Sequence, residues 1–292
     1  MLSHSPIENF ILMNKCACSH RFTSFWKVDH CPAASFARRM RDGILTAACL
    51  LVLPSAVLAT PVGPELVFQQ LGPELPPSGR TAISGDGNTA VVCTTGGTSI
   101  YTRANGTFSQ QGATLAGGSS VAISADSNTV LVGQQSDNAN RGTALVFVRS
   151  SGVWSQQGSK LLPSDSVYTV SGLAFGISVS LSADGNTALV GGLADNNGQG
   201  ASWVFTRSSG SWTQQGSKLV ASDASGGAQE GSSVALSADG NTALVGGSGG
   251  GYLGAGEAYV YTRSNGSWSQ VGSKFTPSDD LAGVYCEAGS CS

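Results

Sequence analysis

Histidine is missing from most of this 292-residue chain: His4, His20 and His30 all fall within residues 1–59, as do all three methionines. A catalytic Ser-His-Asp triad, a Cys-His dyad and an imidazole-ligated metal are therefore excluded beyond Ala59. Charge is also scarce, at 11% of residues. Residues 1–59 hold six of the fifteen Lys and Arg, which leaves nine against fifteen Asp and Glu, a net of -6. Phosphate neutralisation needs clustered cations, so nucleic acid is excluded as a partner. The 40 glycines and 10 prolines carry no Gly-X-Y period, which rules out collagen and leaves an all-β chain rich in tight turns. Long apolar runs are lacking too. Ile44 to Leu53 is the one unbroken stretch, half of the roughly 20 residues a bilayer needs, and Pro54 ends it.

That stretch follows the basic ARRMR and precedes Val57 and Ala59, small residues in signal-peptidase spacing, so residues 40–59 read as a signal peptide cut after Ala59. A secreted or cell-envelope protein with no membrane span in its mature form is expected. Residues 1–39 form an irregular extension in front of Met40, consistent with a start assigned too early. Cys16, Cys18, His20, His30 and Cys31 are zinc-type ligands, but they lack paired CxxC spacing. In the tail, residues 281–292, Cys286 and Cys291 are candidates for a short disulfide loop, with two free thiols as the alternative.

What the chain has in abundance is repetition. SADGNTALVGG occurs at 182–192 and again at 237–247, with looser copies SGDGNTAVVCT and SADSNTVLVGQ upstream. Ser84, Ser124, Ser182 and Ser237 head these copies, and each is followed by a second block such as TRSSGSWTQQG at 206. A spacing of some tens of residues means an array of supersecondary units. Apolar residues alternate within a unit, so the elements are strands, four per unit. In the third unit they are expected at 176–182, 187–192, 201–207 and 211–219. Asp in the SxDGNT turn can accept from an amide two residues on, and Ser209-Gly210 or Asn265-Gly266 suits a primed two-residue hairpin. Trp154, Trp212 and Trp268, with Phe108 in the first unit, hold one position and are expected to wedge between neighbouring sheets.

The run FGISVSLSADGNTALVGG, 175–192, with GAxWVFTRS-like and WxQQGxKL blocks, resembles the FG-GAP (integrin alpha-like) repeats of secreted bacterial proteins over about residues 68–278. The resemblance implies a β-propeller of four-stranded antiparallel blades over residues 60–280, with about four recognisable units. Two departures stand out: Gly191-Gly192 and Gly246-Gly247 replace the family's Gly-Ala-Pro, and Glu230-Gly231 replaces Phe-Gly. A stray outer-strand piece, VFQQLG at 67–72, and the small number of units suggest an incomplete propeller, and with it an oligomer.

The family resemblance also implies calcium loops, for which Asp184, Asn186, Asp239 and Asn241 are the candidates. One carboxylate per loop is a poor match to the six to eight oxygens calcium takes, so no cofactor is expected. The expected function is a non-enzymatic binding, adhesion or interaction scaffold for a protein or glycan. Binding residues are expected in the variable loops, at Arg141, Asp195, Asn196, Asn197 and Tyr252. The alternatives are a carbohydrate-active propeller enzyme using paired carboxylates and a nonfunctional fragment of a larger array.

Overall fold

The computed structural model describes residues 80–94, 96–167, 172–249 and 256–276, and the backbone of 286–287 and 290–291. The N-terminal extension, the expected signal peptide with Ala59, the VFQQLG piece and Tyr252 lie outside the described residues. The chain divides into Met1–Phe68 and Gln69–Ser292, and the described residues all belong to the second unit.

Alternation of apolar and polar residues builds four four-stranded antiparallel sheets, each a consecutive meander of propeller-blade type. Blade 1 comprises β1 (Arg80–Ile83), β2 (Thr89–Thr94), β3 (Gly97–Ala104) and β4 (Thr107–Gln110). Blade 2 comprises β5 (Ser120–Ile123), β6 (Thr129–Gln134), β7 (Thr143–Ser150) and β8 (Val153–Gln156). Blade 3 comprises β9 (Phe175–Leu181), β10 (Thr187–Gly192), β11 (Ala201–Ser208) and β12 (Ser211–Gln214). Blade 4 comprises β13 (Glu230–Leu236), β14 (Thr242–Gly247), β15 (Glu257–Ser264) and β16 (Ser267–Gln270). The first strands of successive blades touch, β1 on β5, β5 on β9 and β9 on β13. A further pair, β17 (Cys286–Glu287) and β18 (Ser290–Cys291), sets the backbone of Cys286 opposite that of Cys291.

The fourth strand is shorter than the sequence suggests. Expected to run through residue 219, β12 ends at Gln214 because Gly216 takes φ +72°. Leu219 then rejoins the sheet through a single antiparallel bridge to Ser202. The hairpin turns follow their residues. Ser209 and Gly210 have φ +49° and +79°, and Asn265 and Gly266 have φ +50° and +80°, as a type I′ turn demands.

The core lies between blades. Val91, Cys93 and Ile100 of blade 1 meet Val130, Val132 and Phe147 of blade 2. Leu131 and Val146 of blade 2 meet Phe175, Ala188 and Phe205 of blade 3. Leu189 and Val204 of blade 3 meet Ala243, Val245, Tyr259 and Tyr261 of blade 4. Both faces of β6 and β10 are consequently buried, whereas in β14 burial alternates along the strand. Phe175 of the Phe-Gly pair is fully buried, edge-on to Trp203 at 5.5 Å and to Phe205 at 6.1 Å.

Candidate functional site

The repeated polar residues are engaged inside the fold. In each SxDxNT turn the serine Oγ donates to the Asp, and the Asn amide N–H and side-chain Nδ2 donate to its two oxygens. For Asp184 the distances are 2.6 Å from Ser182, then 2.9 and 3.0 Å from Asn186. The Asn Oδ1 in turn accepts from the Arg of strand three, Arg207 Nε to Asn186 at 2.9 Å and Arg263 Nε to Asn241 at 3.0 Å. Burial pulls the Asp184 carboxyl upward, but the bonds from Ser182 and Asn186 prevail and hold it below the usual range. At exposed Asp86 the corresponding serine bond dominates, and the carboxyl falls to about 2. The calcium candidates Asp184, Asn186, Asp239 and Asn241 thus sit in two self-contained hydrogen-bonded turns. Among the described residues no cluster of three or more His, Cys, Asp or Glu could hold a metal ion.

A second network ties each blade to the next. Gln111 Oε1 of blade 1 accepts from Arg149 Nη1 at 3.2 Å and Trp154 Nε1 at 3.1 Å of blade 2. Gln157 does the same for Arg207 and Trp212, and Gln215 for Arg263 and Trp268. Each Arg also lies over its Trp ring, at 5.3–5.4 Å. The tryptophans therefore do wedge between sheets, and the second Gln of each SQQG-type block is their socket.

Strand direction separates two rims. Antiparallel order puts the SxDxNT turns and the type I′ hairpins at one end of every blade. The loops between strands two and three, and the connectors between blades, lie at the other. Sequence identity collects at the first rim and variation at the second. The variable rim contains the short left-handed turns Asp137–Asn140 and Asp195–Gly198, where Asn138, Ala139, Asn196 and Asn197 all have φ between +46° and +58°. Asn tolerates this conformation better than most residues, which accounts for its recurrence here.

Of the expected binding residues, Arg141, Asn196 and Asn197 are exposed on this rim. Asp195 is fully buried, pairs with Lys218 and accepts from the Val167 amide at 2.7 Å. It locks the loop rather than presenting a carboxylate. These turns also receive the incoming strand of the next blade, with Phe175 N donating to the Arg141 carbonyl and Glu230 N to that of Gln199.

Sequence reasoning missed a buried acidic and phenolic cluster at the blade 3–4 junction. Glu230 takes the place of Phe175, and Tyr259 and Tyr261 take the places of Trp203 and Phe205. Fully buried Glu230 accepts from the Ala221 amide at 2.9 Å and Gln199 Nε2 at 3.3 Å. Burial nevertheless dominates and pushes its carboxyl up to about 7. Buried Glu257 also feels an upward pull from burial, but Lys274 at 2.6 Å, Ser225 and the Tyr259 hydroxyl bring it down to about 2. The phenols of Tyr259 and Tyr261 are pushed well above their ordinary range, first by burial and then by these carboxylates. The Glu-Gly at 230–231 in place of Phe-Gly was the available signal.

A family model described as FG-GAP repeat matches residues 212–261. No curated protein matches the chain. Among solved structures, a functionally unknown protein from Desulfotomaculum acetoxidans is similar over 68% of this chain and 56% of its own, with 18% identity and a TM-score of 0.45. TolB from Acinetobacter baumannii is similar over 65% and 42%, with 13% identity and a TM-score of 0.39. Kuenenia stuttgartiensis hydrazine synthase is similar over 66% and 53%, with 14% identity and a TM-score of 0.44. The chain spans about half the length of these structures.

Proposed function

Taking the FG-GAP repeat at residues 212–261 as the premise, we propose that the chain is an exported, non-enzymatic interaction scaffold that binds a protein or glycan through its variable rim. The supporting observation is the partition of the two rims. Nearly identical turns, each closed on its own Asp, occupy one end of every blade. The other end carries loops of different sequence and length, with Arg141, Asn196 and Asn197 exposed. The apolar stretch from Ile44 to Leu53 supports export, and among the described residues no helix is long and apolar enough to cross a membrane. A hydrolase with paired carboxylates would need two acids lining an open cleft. Glu230 and Glu257, the acids whose environments diverge most, are enclosed and bonded to protein groups.

A glycan and protein array tests the proposal. Substituting Arg141→Ala together with Asn196→Gly and Asn197→Gly keeps the left-handed turn at 196–197 while removing its side chains. Binding is expected to fall at least about tenfold, whereas Ser151→Asn at the opposite rim leaves it unchanged. Equal binding by both variants, or hydrolysis of an arrayed glycan that disappears with Glu230→Gln, overturns the proposal.

A further inference from the structure

Every blade presents to its successor a face built from the same positions. Val91, Leu131 and Leu189 at its centre are each 0% exposed, because blades 2, 3 and 4 cover them. The corresponding residue of blade 4 is Leu244, 44% exposed. Around it Phe275, 58% exposed, stands where Leu115, Leu161 and Leu219 are covered by the next blade. Val271, 47% exposed, stands at the socket position of Gln111, Gln157 and Gln215. The backbone tells the same story. Ser120 and Ser178 donate to the carbonyls of Gly176 and Gly231 in the following blade, and these carbonyls come so close to Gly133 and Gly191 that an added Cβ would lie 2.1 and 2.0 Å away. At Gly246, the equivalent position in blade 4, the three atoms nearest an added Cβ all belong to Ser233 of its own blade.

We propose that this open face of blade 4 docks blade 1 of a second copy of the chain, head to tail. The junction occurs three times within the chain, and the two faces that would form a fourth are altered in a matched way. Val271 is the one socket residue among the four blades that cannot accept a hydrogen bond, and Phe108 of blade 1 is the one wedge that cannot donate one. The polar clamp is deleted from both sides at once and replaced by an apolar pair, while Arg103 still reaches Asn88 within its own blade at 3.1 Å. Blade 1 also leaves Ile83 62% exposed, where Ile123, Leu181 and Leu236 pack against the preceding blade. A heterologous contact of this kind propagates into rings or chains instead of closing on itself as a two-fold dimer.

Sedimentation equilibrium of the full chain over a hundredfold range of concentration is expected to show reversible self-association. Leu244→Asp disables the blade 4 face and Ile83→Asp disables the blade 1 face, and each variant alone is expected to be monomeric with an unchanged circular dichroism spectrum. Mixed in equal amounts, they should form a one-to-one heterodimer, because each retains the face that the other lacks. Phe108→Trp with Val271→Gln restores the polar clamp and should associate about tenfold more tightly than either single variant. A wild-type monomer at every concentration overturns the proposal, and so does association that persists in Leu244→Asp. A mixture that stays monomeric points to a symmetric contact or to a covering segment from the same chain, such as residues 67–72, and equally overturns it.

Discussion

The clamp between blades yields a number that can be tested. Replacing Gln157 by Leu keeps the side-chain volume and removes the oxygen that accepts from Trp212 Nε1 at 3.0 Å and Arg207 Nη1 at 3.2 Å. A neutral hydrogen bond contributes about 1 kcal/mol, and the bond to the half-buried guanidinium, discounted for solvent, adds about 1 more. The Arg207–Trp212 stack at 5.3 Å lies within blade 3 and survives. The net loss is therefore about 2 kcal/mol. For a folded region of this size that corresponds to a fall in Tm of about 4 to 8 °C. Differential scanning calorimetry measures it, and Trp212 fluorescence should shift to the red as its indole N–H turns to water. Val271→Gln is the internal control: the same position in blade 4 faces solvent, so restoring the repeat's glutamine should change stability by less than about 0.5 kcal/mol in the dilute monomer. Losses below about 0.5 kcal/mol for Gln157→Leu, or equal effects at the two positions, would refute the clamp as the blade-to-blade tie.

Glu230 predicts an unusual pH dependence. Its folded carboxyl is raised from 4.5 to about 7, so the fold binds this proton more tightly than the unfolded chain does, and stability falls as pH rises through that window, by on the order of 3 kcal/mol. Urea midpoints from pH 4.5 to 8 should show the decline, and Glu230→Gln should flatten it; Glu257, held at about 2, acts in the opposite sense and only below 4.5. Gly191→Ala should disrupt the blade 3–4 junction or prevent folding, since the Gly231 carbonyl occupies the space its Cβ needs, whereas Gly246→Ala should cost about 1 kcal/mol or less, both read by thermal melts. Asp184→Ala should lower stability by about 1 kcal/mol, and millimolar calcium should leave the Tm of the unaltered chain in place, because the turn already supplies donors to both Asp184 oxygens.

The blade count, the strand order and the turn types were legible in the sequence because each rests on local chemistry. Ser-Gly and Asn-Gly pairs fix the I′ hairpins, Asp fixes the SxDxNT turn, and alternation fixes the strands. The early end of β12 was not legible, since Gly216 reads as an ordinary glycine until its φ is known. Nor was the burial of Asp195. Among polar neighbours in DNNG it looked like a loop carboxylate awaiting a ligand, but its partner Lys218 is distant in sequence and reaches it only when the sheet forms. The same limit concealed the glutamine sockets. Their partners lie in the next repeat, about 40 residues or more along the chain, and only the assembled junction shows why the second Gln of the block recurs.

Where blade 4 departs from the other blades, each change is matched by another. The loop carboxylates Asp137 and Asp195 pair with Lys160 and Lys218. In blade 4 the aligned loop residue is Gly250, yet Lys274 keeps an acidic partner because Glu257 replaces the small residue that opens strand three, Ala201 in blade 3. The buried Phe175 becomes Glu230, and the two aromatic residues beside it become tyrosines: Tyr259 donates its hydroxyl to Glu257, while the buried Tyr261 hydroxyl has no hydrogen-bond partner among the described residues. A buried acid among purely apolar side chains would cost several kcal/mol; with the Ala221 amide and Gln199 Nε2 donating to it, Glu230 is tolerated. The exchange of Gln for Val271 has the same paired form, except that its partner, Phe108, lies in blade 1. Among the described residues Glu257 touches the groups that compensate for it, Lys274 and Tyr259, and Val271 and Phe108 would meet in the same way where blade 4 of one copy joins blade 1 of the next.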